Sequence, residues 1–215
     1  MNWPTIGVII PTFQRHEIVK QTVGLLQGNL RYSGEIKIMV SEDGPRLPSI
    51  PLDDVMVVKG PSRGLGANLN SLLQAIGTDF VLQSDDDNWL TGPLDLDAHV
   101  KQLLDDPLSG WIRLQYIANH ILDARLDGWY WHVSWDSPEL YITSNKAHLK
   151  RRNWHDVFGL YPEGLNLAET ENGFCHQCKR IAKGDGRWPQ VLVPVNVQTE
   201  TLWRHVGPSL QGQGY

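Results

Sequence analysis

Two hydrophobic periods take turns along the first half of the chain. Ile6 to Ile10 is a short β-branched run stopped at Pro11-Thr12, the mark of a buried strand. Between Arg15 and Leu30, Ile18, Val19, Leu25 and Leu26 recur with Thr22 at helical spacing. Ile36 to Val40 predicts a second strand closed by the turn residues Asp43-Gly44-Pro45, and "VMVVKG" a third. "RGLGANLNSLLQAIG" predicts a helix entered through glycines and left at Gly77, and "DFVLQS" a fourth strand. Strand, helix, strand, strand, helix, strand is the order of an open, mainly parallel α/β sheet, Rossmann-like and flanked by helices. Right-handed crossovers align the carboxyl ends of its strands along one edge, where ligands bind. Three polar clusters fall there: Thr12 to Arg15, Ser41 to Asp43, and Ser84 to Asp87.

The second half is less regular. Residues 93–105 read as a helix and "GWIRLQYI" as a strand. "GWYWHVSW" and "ELYIT" predict a hairpin, and 145–184 two helices around a glycine-rich loop. With no repeat, low-complexity tract or linker, residues 1–215 read as one continuous domain.

A net charge of −5 argues against a surface that coats nucleic acid or membranes. The amino terminus lacks the basic and apolar regions of a signal peptide, and no apolar run has the length of a membrane span. Cys175 and Cys178 are the sole cysteines, which excludes a disulfide scaffold and points to a reducing, cytoplasmic setting. "CHQC" lacks the second ligand pair of a structural zinc site, so its cysteines read as neighbours on a helix. The nine tryptophans read mainly as core or lid packing, with a minority available to stack on a sugar.

"QSDDDNWL" at 83–90 sets three carboxylates directly after a buried strand. Their repulsion and desolvation are relieved by a divalent cation, or by solvent if the loop is simply exposed. "RGLGANL" lacks the third glycine and the placement of a dinucleotide fingerprint. Leu90 occupies the position where an EF-hand requires glycine, and no G-x-S-x-G elbow exists. "NKAHLKRRNWH" gathers Lys146, Lys150, Arg151 and Arg152, either as a solvated helix face or as a contact for a diphosphate or anionic acceptor.

Taken in order, "VIIPTFQR", "SEDGP", "RGLGANLNSLLQAIGTDFVLQSDDDNWL" and the late "LWRHVGPSL" resemble a family-2 glycosyltransferase of the GT-A fold. The resemblance spans residues 5–92 plus isolated late motifs. It implies a nucleotide-sugar-binding half at 1–92 and an acceptor-binding, catalytic half at 93–215. Pro11, Thr12, Phe13 and Arg15 would line the nucleotide pocket, Asp43 would bond the base, and Arg63 and Asn68 would lie near the diphosphate. Asp85 would contact ribose or sugar; Asp86, Asp87 and His205 would hold Mn²⁺ or Mg²⁺. "AETENGF" matches the acidic motif of the catalytic base, with Glu171 ahead of Glu169. The implied reaction is inverting sugar transfer from a nucleotide-diphosphate donor, a UDP-sugar first, to an acceptor hydroxyl. Modified nucleic acid is the less favoured acceptor. The alternatives are a nucleotidyltransferase of related fold and a non-catalytic nucleotide- or sugar-binding module.

Overall fold

The computed structural model describes residues 2–45, 54–115, 124–138, 141–182, 189–195 and 202–206. The first half follows the predicted order: strand β1 (Ile6–Thr12), helix α1 (His16–Asn29), short strand β2 (Leu30–Arg31), β3 (Ile36–Glu42), β4 (Val55–Lys59), α2 (Leu65–Ile76) and β5 (Phe80–Gln83). There follow β6 (Asn88–Leu90), β7 (Leu94–Asp95), α3 (Asp97–Asp105), β8 (Ser109–Arg113), β9 (Ala124–Asp127) and β10 (Tyr130–Val133). Then come β11 (His148–Arg151), α4 (Trp154–Phe158), α5 (Leu167–Ala182), β12 (Gln190–Pro194) and β13 (Trp203–His205).

Nine strands form one sheet in the order β4-β3-β1-β5-β11-β8-β12-β10-β9. β4, β3, β1 and β5 are parallel, and β11 enters antiparallel between β5 and β8. Period-two alternation separates the two cores. Ile6, Val8 and Ile10 of β1 pack with α1 and α3 on one face. Ile9, Val81 and Trp111 pack with α2, α4 and α5 on the other. No helix among the described residues is long and apolar enough to cross a membrane.

The second half departs from the sequence reading in two places. The hairpin of β10 is made with β9, not with "ELYIT". Gly128, at φ +57°, supplies the left-handed residue of the β9–β10 turn, while β12 takes the other edge of β10. Ile142 and Thr143 instead lie buried outside any strand, and Glu139 and Leu140 fall outside the described residues. The basic segment is not a solvated helix face: it is β11, inside the sheet, with Lys150 fully buried. The predicted strand at 110–117 covers Ser109–Arg113, its last two residues falling outside the described ones.

One packing contact pins the second half onto the first. Asn70 of α2 donates to the Tyr161 carbonyl at 2.9 Å and accepts from the Tyr161 N–H at 3.0 Å. This holds the loop after α4 across the start of α2, where a Cβ on Gly66 would stand 1.9 Å from the Pro162 carbonyl oxygen. Backbone on both sides cannot yield, so Gly66→Ala is expected to cost about 1–3 kcal/mol despite the better helix propensity of alanine. Thermal unfolding should record a fall on the order of 2–12 °C.

Candidate active site at the carboxyl edge of the sheet

Buried carboxylates organise the loops beyond the parallel strands by accepting backbone N–H groups. Glu42, inaccessible to solvent, accepts from Gln14 N at 3.0 Å and Gly44 N at 2.6 Å, fixing the loops after β1 and β3. Asp43 accepts from Ser62 N at 2.5 Å and Gly64 N at 3.0 Å, drawing the loop before α2 toward β3. Gly60 permits this approach, since a Cβ there would lie 2.7 Å from Asp43 Oδ1 and 2.9 Å from Asn68 Oδ1. The loops enclose a cleft of about 500 Å³ lined by Phe13, Asp43, Pro45, Ser62 to Gly64, and Gly164 to Asn166. An aromatic ring, a carboxylate and a guanidinium around such a space suit a planar heterocycle with polar edges.

Three residues implied by the resemblance therefore share this cleft: Phe13, Asp43 and Arg63. Arg63, largely exposed, pairs with Glu163 at 3.2 Å. Asn68 lies behind the wall, donating to the Ser41 carbonyl at 3.1 Å, with its own buried Oδ1 unpartnered. Pro11 is a β1 residue in register with Ser41. Thr12 and Arg15 turn instead toward the aspartates.

The three aspartates have separate environments. Asp86 accepts from Thr12 Oγ1 at 2.6 Å and from Arg15 Nη1 at 2.8 Å, and its carbonyl accepts from Thr22 Oγ1 at 2.5 Å. Asp87 accepts from the same Arg15 nitrogen at 2.8 Å and lies 3.2 Å from His205 Nε2. β13 pairs antiparallel with β6, which brings His205 to this loop. Burial works against the charge of Arg15, but Asp86 and Asp87 outweigh it and hold the guanidinium above its ordinary value. Burial raises Asp86 to about 6 against the opposing pull of Thr12 and Arg15.

Asp85 faces the other way. Its side-chain contact is a long 3.3 Å hydrogen bond from Asn88. Burial is the main force raising it to about 7; Lys146 opposes that shift, and the charges of Asp87, Glu171 and Asp86 add to it. A partly buried carboxylate with so little hydrogen bonding fits a hard cation bound through one or two carboxylates plus phosphate oxygens. Among the described residues no three His, Cys, Asp or Glu side chains converge as a complete metal shell.

Glu171 reaches the same region from α5. Its Oε1 accepts from Ser144 Oγ at 2.8 Å and Asn145 N at 3.0 Å, which fixes the carboxylate on the turn before β11. Glu169 is engaged elsewhere: it accepts from Asn166 N at 3.2 Å while its own N–H donates to Asn166 Oδ1 at 2.9 Å. That reciprocal pair is a capping box at the start of α5.

Beneath Glu171 lies a buried polar layer that sequence reasoning missed. Lys150 Nζ donates to Gln83 Oε1 at 3.1 Å and to Tyr161 OH at 3.0 Å, and sits 4.8 Å from the Trp111 ring centroid. Burial drives its pKa well below 10.5. Gln83 continues to Asn145 Oδ1 at 3.5 Å, joining this layer to the Glu171 turn. Cys175 and Cys178 are free, buried thiols on α5, as their spacing predicted, and burial pushes them up to about 11 and about 12.

Neither a protein-family model nor a curated protein matches the sequence. Solved structures do match in fold. Staphylococcus aureus TarS 1-349 in complex with UDP-GlcNAc superposes with a TM-score of 0.66 at 15% identity, covering 99% of this chain and 61% of that one. The mannosyltransferase PcManGT from Pyrobaculum calidifontis, with GDP-Man and Mn²⁺, gives 0.56 at 13% identity over 90% of this chain and 55% of its own. The catalytic domain of Drosophila beta1,4galactosyltransferase 7, with xylobiose, gives 0.57 at 14% identity over 98% and 74%. The chain thus has the GT-A fold, and it spans about three-fifths of the TarS chain.

Two titrations test this electrostatic arrangement. Asp85 ionises near 3.8 when unfolded and near 7 when folded, so between those values the folded chain holds the extra proton. Its contribution to stability is present at low pH and declines as pH rises through about 7. Asp85→Asn is therefore expected to melt higher than the wild type at about pH 8 and to lose that advantage near pH 4. Lys150 behaves oppositely: below 10.5 the unfolded chain binds the extra proton, so its contribution improves with rising pH. Lys150→Met should flatten the rise in melting temperature on the alkaline side, measured as a difference between the two proteins.

Proposed function

We propose that this GT-A chain is a metal-assisted glycosyltransferase that moves a sugar from a nucleotide-diphosphate donor to an acceptor hydroxyl, with inversion. The observation that carries the reading is that Asp85 and Glu171, one from each half of the chain, come within electrostatic reach of each other at the edge that also bears the cleft. A UDP-sugar is the first donor to consider. The TarS structure holds UDP-GlcNAc and the PcManGT structure holds GDP-Man with Mn²⁺, which supports a nucleotide-sugar donor.

In this reading the nucleoside occupies the cleft, with Asp43 accepting from the base edge and Phe13 and Leu165 bounding its apolar surface. Arg63 lies at the cleft for the donor's negative charge. Asp86 and Asp87 are engaged by Arg15, so Asp85 is the leading carboxylate for Mn²⁺ or Mg²⁺, with His205 beside Asp87 as the second candidate. A divalent cation held by Asp85 and the donor phosphates would supply neutralising charge for the departing diphosphate. Glu171, oriented through Oε1, presents its other oxygen to the acceptor hydroxyl and takes its proton. The acceptor oxygen bonds to the anomeric carbon as the bond to the diphosphate breaks, and the electron pair leaves on the diphosphate. Glu169, committed to its capping box, takes no part. The buried free thiols accord with a reducing cytoplasmic location.

Thermal unfolding with UDP, GDP, CDP and ADP, each with and without Mn²⁺, tests the donor site. At about 100 times the dissociation constant, stabilisation of roughly 2.7 kcal/mol corresponds to a rise on the order of 5–11 °C. The largest rise is expected for UDP with Mn²⁺; no rise with any nucleotide, in folded protein, overturns the reading. Glu171→Gln is expected to retain the UDP shift while lowering turnover of a UDP-sugar by about 10²–10⁴.

A further inference from the structure

The four cations of the basic segment do not share one environment. β11 pairs antiparallel with β5 in the register His148↔Gln83, Leu149↔Leu82, Lys150↔Val81 and Arg151↔Phe80. Alternation sends Arg151 to the opposite face, where it donates to the Ser109 carbonyl at 2.8 Å and also reaches the carbonyls of Leu103 and Asp106. Arg152 lies past the far end of the ladder, its N–H bonded to the Asp79 carbonyl. Lys150 is sealed between Gln83, Tyr161 and Trp111.

Lys146 is different. The ladder ends at His148↔Gln83; two residues beyond it on either segment stand Lys146 and Asp85, and the Lys146 charge acts on the Asp85 carboxyl. The turn that bears Lys146 is itself tied to Glu171 through Ser144 and Asn145. The Lys146 N–H donates to Ser144 Oγ at 3.2 Å, and its carbonyl bonds His148 Nδ1 at 2.7 Å. Its half-buried ammonium has no ion pair within 4 Å with any described acid.

From this placement we propose that Lys146 is a phosphoryl-binding residue, forming an anion subsite between Asp85 and Glu171. Two sources carry the matching chemistry: the donor's diphosphate, and a phosphate on the acceptor next to the hydroxyl that Glu171 deprotonates. Between two carboxylates a phosphoryl group would otherwise be repelled, and the Lys146 ammonium supplies the positive charge that holds it there. The inference rests on the glycosyltransferase reading for its sources, but the subsite itself is testable without turnover.

Calorimetric titration of the full chain compares the wild type with Lys146→Met and Lys146→Arg, all with matching melting temperatures. UDP and UMP are titrated with Mn²⁺ present, and inorganic phosphate is titrated into UDP-saturated protein. Loss of about tenfold or more in UDP affinity for Lys146→Met, with UMP unaffected and arginine restoring most of it, assigns the subsite to the donor diphosphate. Unchanged UDP affinity with loss of phosphate binding assigns it to the acceptor. If the wild type binds UDP and Lys146→Met behaves as it does toward both UDP and phosphate, whether or not phosphate binds, the inference fails and the donor reading stands. If the wild type binds no nucleotide, the donor reading fails, and pyrophosphate decides the subsite alone. Pyrophosphate binding lost in Lys146→Met then retains it, and binding that is equal or absent in both proteins overturns it.

Discussion

Three consecutive carboxylates at the end of a buried strand repel one another and resist leaving water. The Arg15 guanidinium makes the arrangement possible. One of its nitrogens lies 2.8 Å from both Asp86 and Asp87, with the arginine and both acids largely buried. Removing either partner from such a cluster exposes uncompensated charge, so the loop after β1, the start of α1 and the loop after β5 hold one another in place. Thr12 and Thr22 reinforce the same joint through the side chain and carbonyl of Asp86. Arg15 takes two of the acids, and the third, Asp85, is left partly buried with one long hydrogen bond from Asn88. That imbalance is what the rest of the edge addresses.

The second half of the chain completes the edge by entering the sheet rather than by covering it. β11 lies directly beside β5, so the turn that carries Lys146 and holds Glu171 leads straight into the strand next to the one that delivers Asp85. Beneath them, Lys150, Gln83 and Tyr161 tie the floor of the site to the turn that holds Glu171. A buried lysine is costly in isolation. Here it meets two oxygen acceptors and an aromatic face, and it makes the floor rigid.

The first half was legible because its signals are local. Ile6 to Ile10 and Phe80 to Leu82 are uninterrupted apolar runs, Ile36 to Val40 is broken by Lys37 alone, and Gly64 and Gly77 bracket α2 with φ of +87° and +58°. Strand order brings the loops of Phe13 and Asp43 to one edge, while Arg63, which joins them at the cleft, was implied by the resemblance alone. β11 was not legible, because "HLKR" carries two cations whose partners come from distant segments. The separate roles of Asp85, Asp86 and Asp87 were equally hidden: three identical residues differ solely in which neighbour each faces. Glu169 and Glu171 lie two apart on α5, and the capping asparagine three residues before Glu169 is the sequence signal that separates them.

The insertion of β11 also governs when the site comes into being. β5 pairs on one edge with β1 from the start of the chain, and must wait for residues 148–151 before its other edge is paired. Closing so long a loop is slow relative to forming local helices and hairpins. Until then the acidic loop stands without Lys146 or the Glu171 turn, and the nascent chain has an open strand edge but no assembled chemistry. A ribosome-bound or partly folded chain would thus lack the assembled edge, which is complete only after β11 has paired with β5.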